Sequence, residues 1–537
     1  MKKNLLLGIL LISTLGLAQW TTDYDVNTLV ADATTGDIQS IGTHDGKTYV
    51  VFWDESAGYK LRAQLLDADG VQQWGSNGIL VNAIADNSTW TATRSLTVDE
   101  EGNLIVGFTA TGDGNGYVNK ISPTGEQLFG ENGIALPDAW DLKVSANFIG
   151  GATVGWTENG VGKLTVFDSD GSSAFPEPIT LNSPNSSRPF TGIGEIANLS
   201  DGNFVVVFHT KPTGWSIESI PYAQKYSMDG VAMWEEPIQV STQTLASNRK
   251  YPIHAENDIT YFGYYGSTGW RFDSFIQRIN AGGTLPWGAD GADFSTNEAY
   301  LEMETSFVMN ENTDEIWVAS NLCNSNQSQY GIYVQKFNKE TGERILGDDA
   351  LEIFPVDTEN SVHVGSIQLA EDKPIFLFSN DISNGVNPIQ LGVVTLNTDG
   401  TPANDDLFQM IATSEGNKGR FDFTTNADGQ SVAIWTEIRN GTSKAYAQNI
   451  EIEIDIVGTE DLQTTKMRIY PNPVQDVLTI DSKATIQKIE VYDVSGRLVS
   501  TKTNSKFIQL NHLPKGNYIV KTTTNKGEVQ ARKFIKN

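Results

Sequence analysis

The chain has 537 residues, 50 of them Gly, with 10% aromatic residues and a formal net charge of −29 at pH 7. This acidic excess excludes a nucleic-acid-binding protein, because contact with phosphates requires a positive surface. Cys323 is the single cysteine, so internal disulfides are excluded and stability must come from packing.

The N-terminus predicts export. Two lysines precede an apolar run at residues 5–17, and Gly16 and Ala18 place small residues before a cut ahead of Gln19. This is typical of a secretory signal peptide at residues 1–18. The run is too short to span a membrane, and no later stretch is longer, so we expect no transmembrane segment.

Residues 19–450 contain a repeat of about 55 residues, a period typical of blade architectures. Its clearest element is an apolar strand rich in aromatic residues, which must be covered on both faces. Eight copies occur, at residues 49–53, 104–108, 152–156, 204–208, 259–264, 316–319, 375–378 and 432–435.

The rest of each unit predicts three more strands. A shorter strand precedes the apolar run, and an alternating strand such as 222–226 follows it. A tight turn that ends in Gly, such as 227–230, then leads to a fourth strand that opens near a Trp such as Trp234. Composition with few helix signals and many Gly and Asn turns indicates an all-β chain.

Four-stranded units that cannot cover both faces alone predict an all-β β-propeller at residues 19–450. We expect eight blades, with seven as the alternative, because the unit at residues 140–186 is short. The eighth unit stops after its third strand, and residues 20–26 resemble the missing fourth strand. The N-terminus is therefore predicted to complete the last blade and close the ring.

The C-terminal part differs in charge from the rest. Residues 467–537 hold 12 Lys and Arg against 5 Asp and Glu, a net of +7, which leaves −36 for the remainder. Such asymmetry indicates two modules with separate surfaces. The acidic, polar stretch at 451–466 predicts an exposed linker between them.

Four motifs occur in order in this tail. The motif residues are Tyr470, Pro471, Asn472 and Pro473, then Gly496, Gly516 and Lys533. The segment resembles the type A C-terminal sorting domain of the type IX secretion system. The resemblance implies a small antiparallel β-sandwich, handling by the type IX secretion machinery, and a secreted or outer-membrane-surface location. The upstream repeat also resembles propeller regions often attached to this tail, which share no single activity.

The sequence indicates neither metal nor cofactor. The Asp-rich turns at 67–70 and 168–171 lack the later ligands of a calcium loop, and the five histidines share no zinc-ligand spacing. No nucleophile motif occurs, and Cys323 is expected to be an unreactive thiol in a polar loop. The acid-rich chain leaves glycoside hydrolase or lyase chemistry open as an alternative, without assigned catalytic residues.

A binding surface is the favoured function. Trp215 and Trp270 each follow a glycine in a loop after strand two, where exposed aromatic residues suit glycan or protein contact. The alternative is that each folds back over a blade edge.

Four arginines lie at or just before innermost strands, and they are Arg94, Arg188, Arg249 and Arg420. At the mouth of a central channel they would attract an anionic glycan or an acidic peptide, unless they pair with neighbouring Asp and Glu. We therefore expect a monomeric, secreted or surface-displayed binding module. A polysaccharide-degrading enzyme and a structural or adhesive surface protein remain as alternatives.

Overall fold

The structure is a computed structural model of the full chain. It describes residues 20–85, 87, 94–310, 313–357, 361–381, 389–426, 429–450, 468–470, 474–481, 485–493, 497–525 and 529–536. For residues 468–470, 481, 529–531 and 533 the description covers the backbone. The predicted signal peptide, the predicted linker and the motif residues Pro471, Asn472, Pro473 and Gly496 lie outside the described residues.

The chain divides into two compact units, residues 1–452 and 453–537. The described residues are almost entirely strand, and their one helical element is a 3₁₀ turn at Glu55–Ala57. The prediction of an all-β chain is therefore confirmed.

The described part of the first unit forms eight antiparallel sheets, which we call blades 1 to 8 in chain order. The N-terminal strand is β1 (Thr28–Leu29). Blades 1 and 2 contain β2 (Thr35–Gly42), β3 (Thr48–Asp54), β4 (Lys60–Leu66) and β5 (Ile79–Leu80), then β6 (Arg94–Val98), β7 (Leu104–Thr109), β8 (Gly116–Ile121) and β9 (Ile134–Leu136). Blades 3 and 4 contain β10 (Trp140–Ala146), β11 (Ala152–Glu158), β12 (Val161–Phe167) and β13 (Ile179–Leu181), then β14 (Phe190–Asn198), β15 (Phe204–Lys211), β16 (Glu218–Tyr226), β17 (Ile238–Gln239) and β18 (Leu245–Ala246).

The second half of the unit continues the pattern. Blades 5 and 6 contain β19 (Ile253–Glu256), β20 (Ile259–Thr268), β21 (Arg271–Ile279) and β22 (Ala292–Asp293), then β23 (Leu301–Met309), β24 (Glu315–Cys323), β25 (Tyr330–Asn338) and β26 (Leu351–Phe354). Blades 7 and 8 contain β27 (Val362–Ala370), β28 (Lys373–Asn380), β29 (Gln390–Thr395) and β30 (Gln409–Ala412), then β31 (Asn417–Thr425), β32 (Ser431–Arg439) and β33 (Thr442–Ile450). Strand β1 pairs with β33 and completes blade 8.

The blades are arranged in a closed ring. In each blade the strands pair antiparallel in chain order, and the first strands β2, β6, β10 and β14 pack against one another in succession. Strand β14 also packs against β19 of blade 5. Blade 5 contacts blade 6 differently, because its second and third strands, β20 and β21, pack against β23. The first strands then follow one another again from β23 to β27 and β31, and β31 of blade 8 packs against β2 of blade 1. The predicted β-propeller is confirmed, and the described residues of its first unit form eight sheets.

The second strands form the core between blades. All seven residues of β3 are buried, and so are all eight of β15. Each fully buried Phe, such as Phe52 or Phe208, contributes roughly 1.5–3 kcal/mol. The predicted need for cover on both faces is met, because blades pack on both sides of each second strand.

A buried glutamine in the third strand positions the fourth strand. The Gln64 side-chain amide donates to the Gly75 carbonyl and accepts from the Trp74 backbone N–H. The Gln335 amide likewise donates to the Gly347 carbonyl. Repetition of this contact explains why a glutamine recurs at one position of the unit.

A second contact links each blade to the next. The Trp74 indole N–H donates to the carbonyl of Pro123 at 3.1 Å, in the turn between the third and fourth strands of blade 2. Trp234 donates in the same way to Ala281, and Trp287 to Glu340. The ring covers a turn glycine with positive φ, as predicted for these turns, for example Gly283 beneath Trp234.

The N-terminus closes the ring, with one correction to the prediction. The paired strand is Thr28–Leu29, not residues 20–26. The Val26 and Asn27 backbone N–H groups both donate to the carbonyl of Asp23, and Asn27 has a φ of +56°. This turn interrupts an extended conformation, so ladder pairing starts only after it.

The second unit is a two-sheet sandwich in its described residues. One sheet has the order β34 (Arg468–Tyr470), β35 (Val477–Asp481) and β38 (Phe507–Gln509), and the other has β37 (Leu498–Thr503), β36 (Ile486–Asp493), β39 (Gly516–Thr524) and β40 (Val529–Lys536). Leu478, Ile489, Val520 and Phe534 are buried in one core. Of the sorting motif, Tyr470 ends β34, Gly516 begins β39 and Lys533 lies in β40.

The prediction for Cys323 is wrong in part. The residue does not lie in a polar loop but ends strand β24 and is buried, with its Sγ 3.9 Å from the Sδ of Met303. Burial raises the pKa of the Cys323 thiol to about 11. The thiolate needed for nucleophilic chemistry is therefore disfavoured.

Candidate functional site

The up-and-down course of the strands gives the ring two different faces. Loops between second and third strands share one face with the connections between blades, and we call this the loop face. The short turns between first and second strands and between third and fourth strands lie on the opposite face, which we call the turn face. They include the Asp–Gly turns that recur in the repeat. The loops of the loop face differ in length and sequence between blades, so the variation within the repeat is concentrated on this face.

Trp215 and Trp270 both lie on the loop face and are both 98% exposed. Trp215 lies between β15 and β16 of blade 4, and Trp270 is at the tip of the β20–β21 hairpin of blade 5. Neither ring folds back over a blade edge. Both indoles are therefore open to solvent, on adjacent blades, and no described group covers either ring.

The connection from blade 4 to blade 5 fastens these two loops together. Strand β18 pairs with the start of β16, and the Ser247 N–H donates to the Ile217 carbonyl at 2.7 Å. On the other side, Thr244 and Ser267 exchange two backbone hydrogen bonds of 3.0 and 2.9 Å. Because β18 is an addition that gives blade 4 a fifth strand, this fixed pair of loops distinguishes blades 4 and 5 from the other described blades.

We call residues 212–217, 244–251 and 267–271 the hairpin platform. Arg249 and Lys250 lie in its middle segment and are exposed. Tyr251 anchors that segment, because its hydroxyl donates to the Ala246 carbonyl at 3.1 Å and its N–H donates to Glu195. The platform therefore presents two indoles and two cations on a hydrogen-bonded backbone.

Arg94 and Arg420 come together at a different place. Arg94 is nearly buried and its Nη1 lies 3.1 Å from the Asp37 carboxylate, while the Arg420 Nε lies 3.8 Å from the same group. Desolvation by burial lowers the pKa of Arg94, against the opposing effect of Asp37. Asp37 of blade 1 therefore pairs with Arg94 of blade 2 and with Arg420 of blade 8.

Arg188 is also paired, with its Nη2 3.1 Å from Glu218 at the start of β16. Pairing with acidic residues was the alternative expected for these arginines. Three of the four pair with acidic residues, and Arg249 alone of the predicted set joins the hairpin platform.

Below the platform lies a buried charged group that the sequence did not indicate. Lys143 of β10 and Glu195 of β14 form an ion pair of 2.6 Å. The neighbouring His209 is buried and accepts or donates a 2.8 Å bond with Ser219, and burial lowers its pKa to about 3. Burial also raises the pKa of Asp141. No signal in the separate strands could have shown that these residues meet.

The Asp-rich turns in the described part of the chain bind their own backbone. No group of three or more His, Cys, Asp or Glu side chains there has the arrangement of a metal site. The Asp turns are used locally instead, since Asp67 and Asp168 accept backbone N–H bonds from their own turns.

Comparison with known families identifies the tail. Residues 468–537 match the family described as "Secretion system C-terminal sorting domain". This segment is a type IX sorting domain. The protein is accordingly secreted or held at the outer-membrane surface. None of the helices in the described ranges has the length and hydropathy to cross a bilayer.

The propeller resembles solved structures only distantly. Prolyl oligopeptidase B from Galerina marginata is similar at a TM-score of 0.44 and 11% identity, over 76% of this chain and 56% of that one. An ulvan lyase has a TM-score of 0.33 and 12% identity, over 94% of this chain and 95% of the lyase. An endo-arabinase from Bacteroides thetaiotaomicron has a TM-score of 0.29 and 13% identity, over 46% of this chain and 90% of the arabinase. The chain thus spans little more than half of the oligopeptidase. No curated protein matches the sequence.

Proposed function

We propose that this exported propeller is a binding module that holds an extracellular glycan on its hairpin platform. The observation that carries the proposal is the pair of indoles at Trp215 and Trp270, each 98% exposed on loops that the blade 4–5 connection joins. A sugar ring presents C–H groups to an aromatic face and hydroxyls to nearby polar groups, and an amphipathic Trp side chain suits both.

The rigidity of the backbone strengthens this argument. Binding costs free energy for every loop that must be ordered, and the two loops are already fixed to each other by the bonds of Thr244 and Ser247. A surface held in its binding conformation loses less on association. An exposed indole without such support would be an ordinary isolated surface residue.

The position of the chain ends also fits display of the platform. The third strand of blade 8 ends at Ile450, which pairs with Ser431 at the turn face. Trp20 contacts the Ala68 turn on the same face. The described part of the first unit therefore ends, at Ile450, on the face opposite the platform.

The test is binding to a glycan panel with wild type and with the Trp215→Ala/Trp270→Ala variant. We expect the wild type to be retarded in affinity electrophoresis by some polysaccharides, and the double variant to lose at least tenfold in affinity at unchanged melting temperature. Phe148→Ala is the matched control, since Phe148 is an exposed aromatic residue on the turn face. Equal binding by the double variant would refute the proposal.

The two alternatives have their own readouts in the same samples. New reducing ends or unsaturated products after incubation would show polysaccharide degradation instead of binding alone. A panel without any binder, together with reduced adhesion of cells that lack the protein, would favour a structural or adhesive role.

A further inference from the structure

We infer that the hairpin platform selects an anionic glycan and that Arg249 and Lys250 hold its acidic group. This inference rests on the proposed function and adds the chemical class of the ligand. It moves the anion site from the predicted group of four arginines to two consecutive residues on the connection between blades 4 and 5. Lys250 was not among the predicted site residues.

The argument begins with how other cations of the first unit are used. Ion pairs such as Lys225–Asp201 and Lys336–Glu315 engage most of them, as expected where acidic residues are in large excess. Among the described Lys and Arg side chains of residues 20–450, three form neither a hydrogen bond nor an ion pair with another described residue. They are Arg249, Lys250 and Lys373.

Two of these three unpaired cations are consecutive and lie on the platform. Their backbone is fixed from both sides, because the Arg249 N–H donates to the Ala246 carbonyl at 3.2 Å and Tyr251 is anchored as described. A cation that forms no hydrogen bond or ion pair within its own acidic protein is available to an external anion. Arg adds bidentate geometry, which matches carboxylate and sulfate oxygens.

The described acidic residues near Arg249 and Lys250 form no ion pair with these two cations. The acids beneath the platform include Glu195, which pairs with Lys143, and Asp141, whose pKa is raised by burial. Across the channel, Lys250 acts on Asp422, but that carboxylate already accepts bonds from the Ser40 N–H and hydroxyl. Glu195 and Asp422 therefore have partners of their own, while the side chains of Arg249 and Lys250 form no hydrogen bond or ion pair with a described residue.

The shared chemistry is an oxygen-rich anion on a sugar, which is either a uronate carboxylate or a sulfate ester. Matched polymers separate these sources from each other and from neutral glycan binding. Dextran and dextran sulfate share one backbone, and polygalacturonate and its methyl ester share another. Each pair changes the charge and keeps the sugar.

The experiment compares wild type, Arg249→Ala/Lys250→Ala and Lys373→Ala in affinity electrophoresis against the four polymers. Lys373→Ala is the matched control, because it removes the third unpaired cation at the turn between β27 and β28 on the opposite face. We expect the wild type to bind at least one charged polymer tenfold or more tightly than its neutral partner. The platform variant should lose that preference and the control should keep it.

Three outcomes decide the matter. Equal affinity for charged and neutral partners overturns the inference and leaves the proposed function intact. An equal loss in Lys373→Ala also overturns it, since general electrostatic attraction would then explain the preference. Loss of all binding in Trp215→Ala/Trp270→Ala, with loss only of charge preference in Arg249→Ala/Lys250→Ala, supports both proposals.

Discussion

The indole nitrogen of Trp20 donates a 2.8 Å hydrogen bond to the carbonyl oxygen of Ala68, and its ring covers Gly70. Trp74, Trp234 and Trp287 make the same contact with the turn of the following blade. Residue 20 therefore occupies the Trp position of blade 8, although it precedes the rest of that blade by almost 400 residues. The Trp contact that links neighbouring blades is therefore also present between blade 8 and blade 1.

This relationship predicts that Trp20→Ala destabilises the first unit. The variant loses a hydrogen bond and the packing of a partly buried ring, which together contribute about 2 kcal/mol. Thermal unfolding should show a lower melting temperature than for Trp270→Ala, which removes a fully exposed indole. Equal melting temperatures for the two variants would contradict the closing role of Trp20.

A second prediction concerns Arg439, which joins the N-terminal segment to blade 8. Its guanidinium donates to the Val26 carbonyl and to Asn27, and pairs with the buried Glu437 at 2.9 Å. Arg439→Met should cost about 3 kcal/mol in unfolding free energy, because it leaves Glu437 with less compensation. Denaturant unfolding measures the loss.

A matched double variant separates the ion pair from packing. Glu437→Gln combined with Arg439→Met removes the uncompensated charge, so the double variant should be less destabilised than Arg439→Met. An additive, larger loss in the double variant would show that burial of the Glu437 charge does not determine the effect.

The buried Glu302 predicts a pH dependence of stability. Burial raises its pKa to about 8, while the ordinary value is 4.5, and the carboxyl accepts bonds from Ser274 N–H and Ser295 Oγ. Between these two pH values the unfolded state has lost the proton that the folded state keeps. Stability from this group is thus present below pH 4.5 and falls by up to about 1.4 kcal/mol per pH unit as pH rises toward 8.

Glu302→Gln should remove that dependence, since the amide has a donor and an acceptor for the same two partners. Denaturant unfolding at pH 5 and pH 8 should give a smaller difference for the variant than for wild type, and the variant should be the more stable protein at pH 8. A wild type whose stability gains from the higher pH relative to the variant would contradict the raised pKa.

Cys323 provides a chemical test of the fold. Because the thiol is buried and its pKa is raised to about 11, a disulfide reagent at pH 8 should leave the native protein unmodified and titrate one thiol after denaturation. Modification of the native protein within minutes would mean that the end of β24 is open to solvent.

Much of the fold follows from sequence because its signals are local. Apolar second strands, alternating third strands and turn glycines each fall within a few residues, so the repeat and the propeller are predictable. The closing strand shows where this stops. Residues 20–26 resemble a fourth strand, but the turn formed by Asp23 and Asn27 moves ladder pairing to Thr28 and Leu29.

The candidate site was predictable only in part. Glycine-flanked Trp215 and Trp270 could be recognised as loop residues, and both are exposed. The ion pairs of the arginines could not be predicted from the sequence. Arg94 pairs with Asp37 of a different blade, and Arg188 pairs with Glu218 of a later strand. Pairing of charges depends on distances between residues far apart in the chain.

The sequence by itself determined the export of this protein, its repeated four-stranded units and the module that carries the sorting motif. Those properties depend on apolar periodicity, turn residues and short motifs, which are local. Tertiary structure alone decided which cations remain unpaired and that the loops of blades 4 and 5 form one surface. The interaction energy of two charges falls with the distance between them. The distances between charged residues of different blades are fixed only when β1 pairs with β33 and the ring is closed.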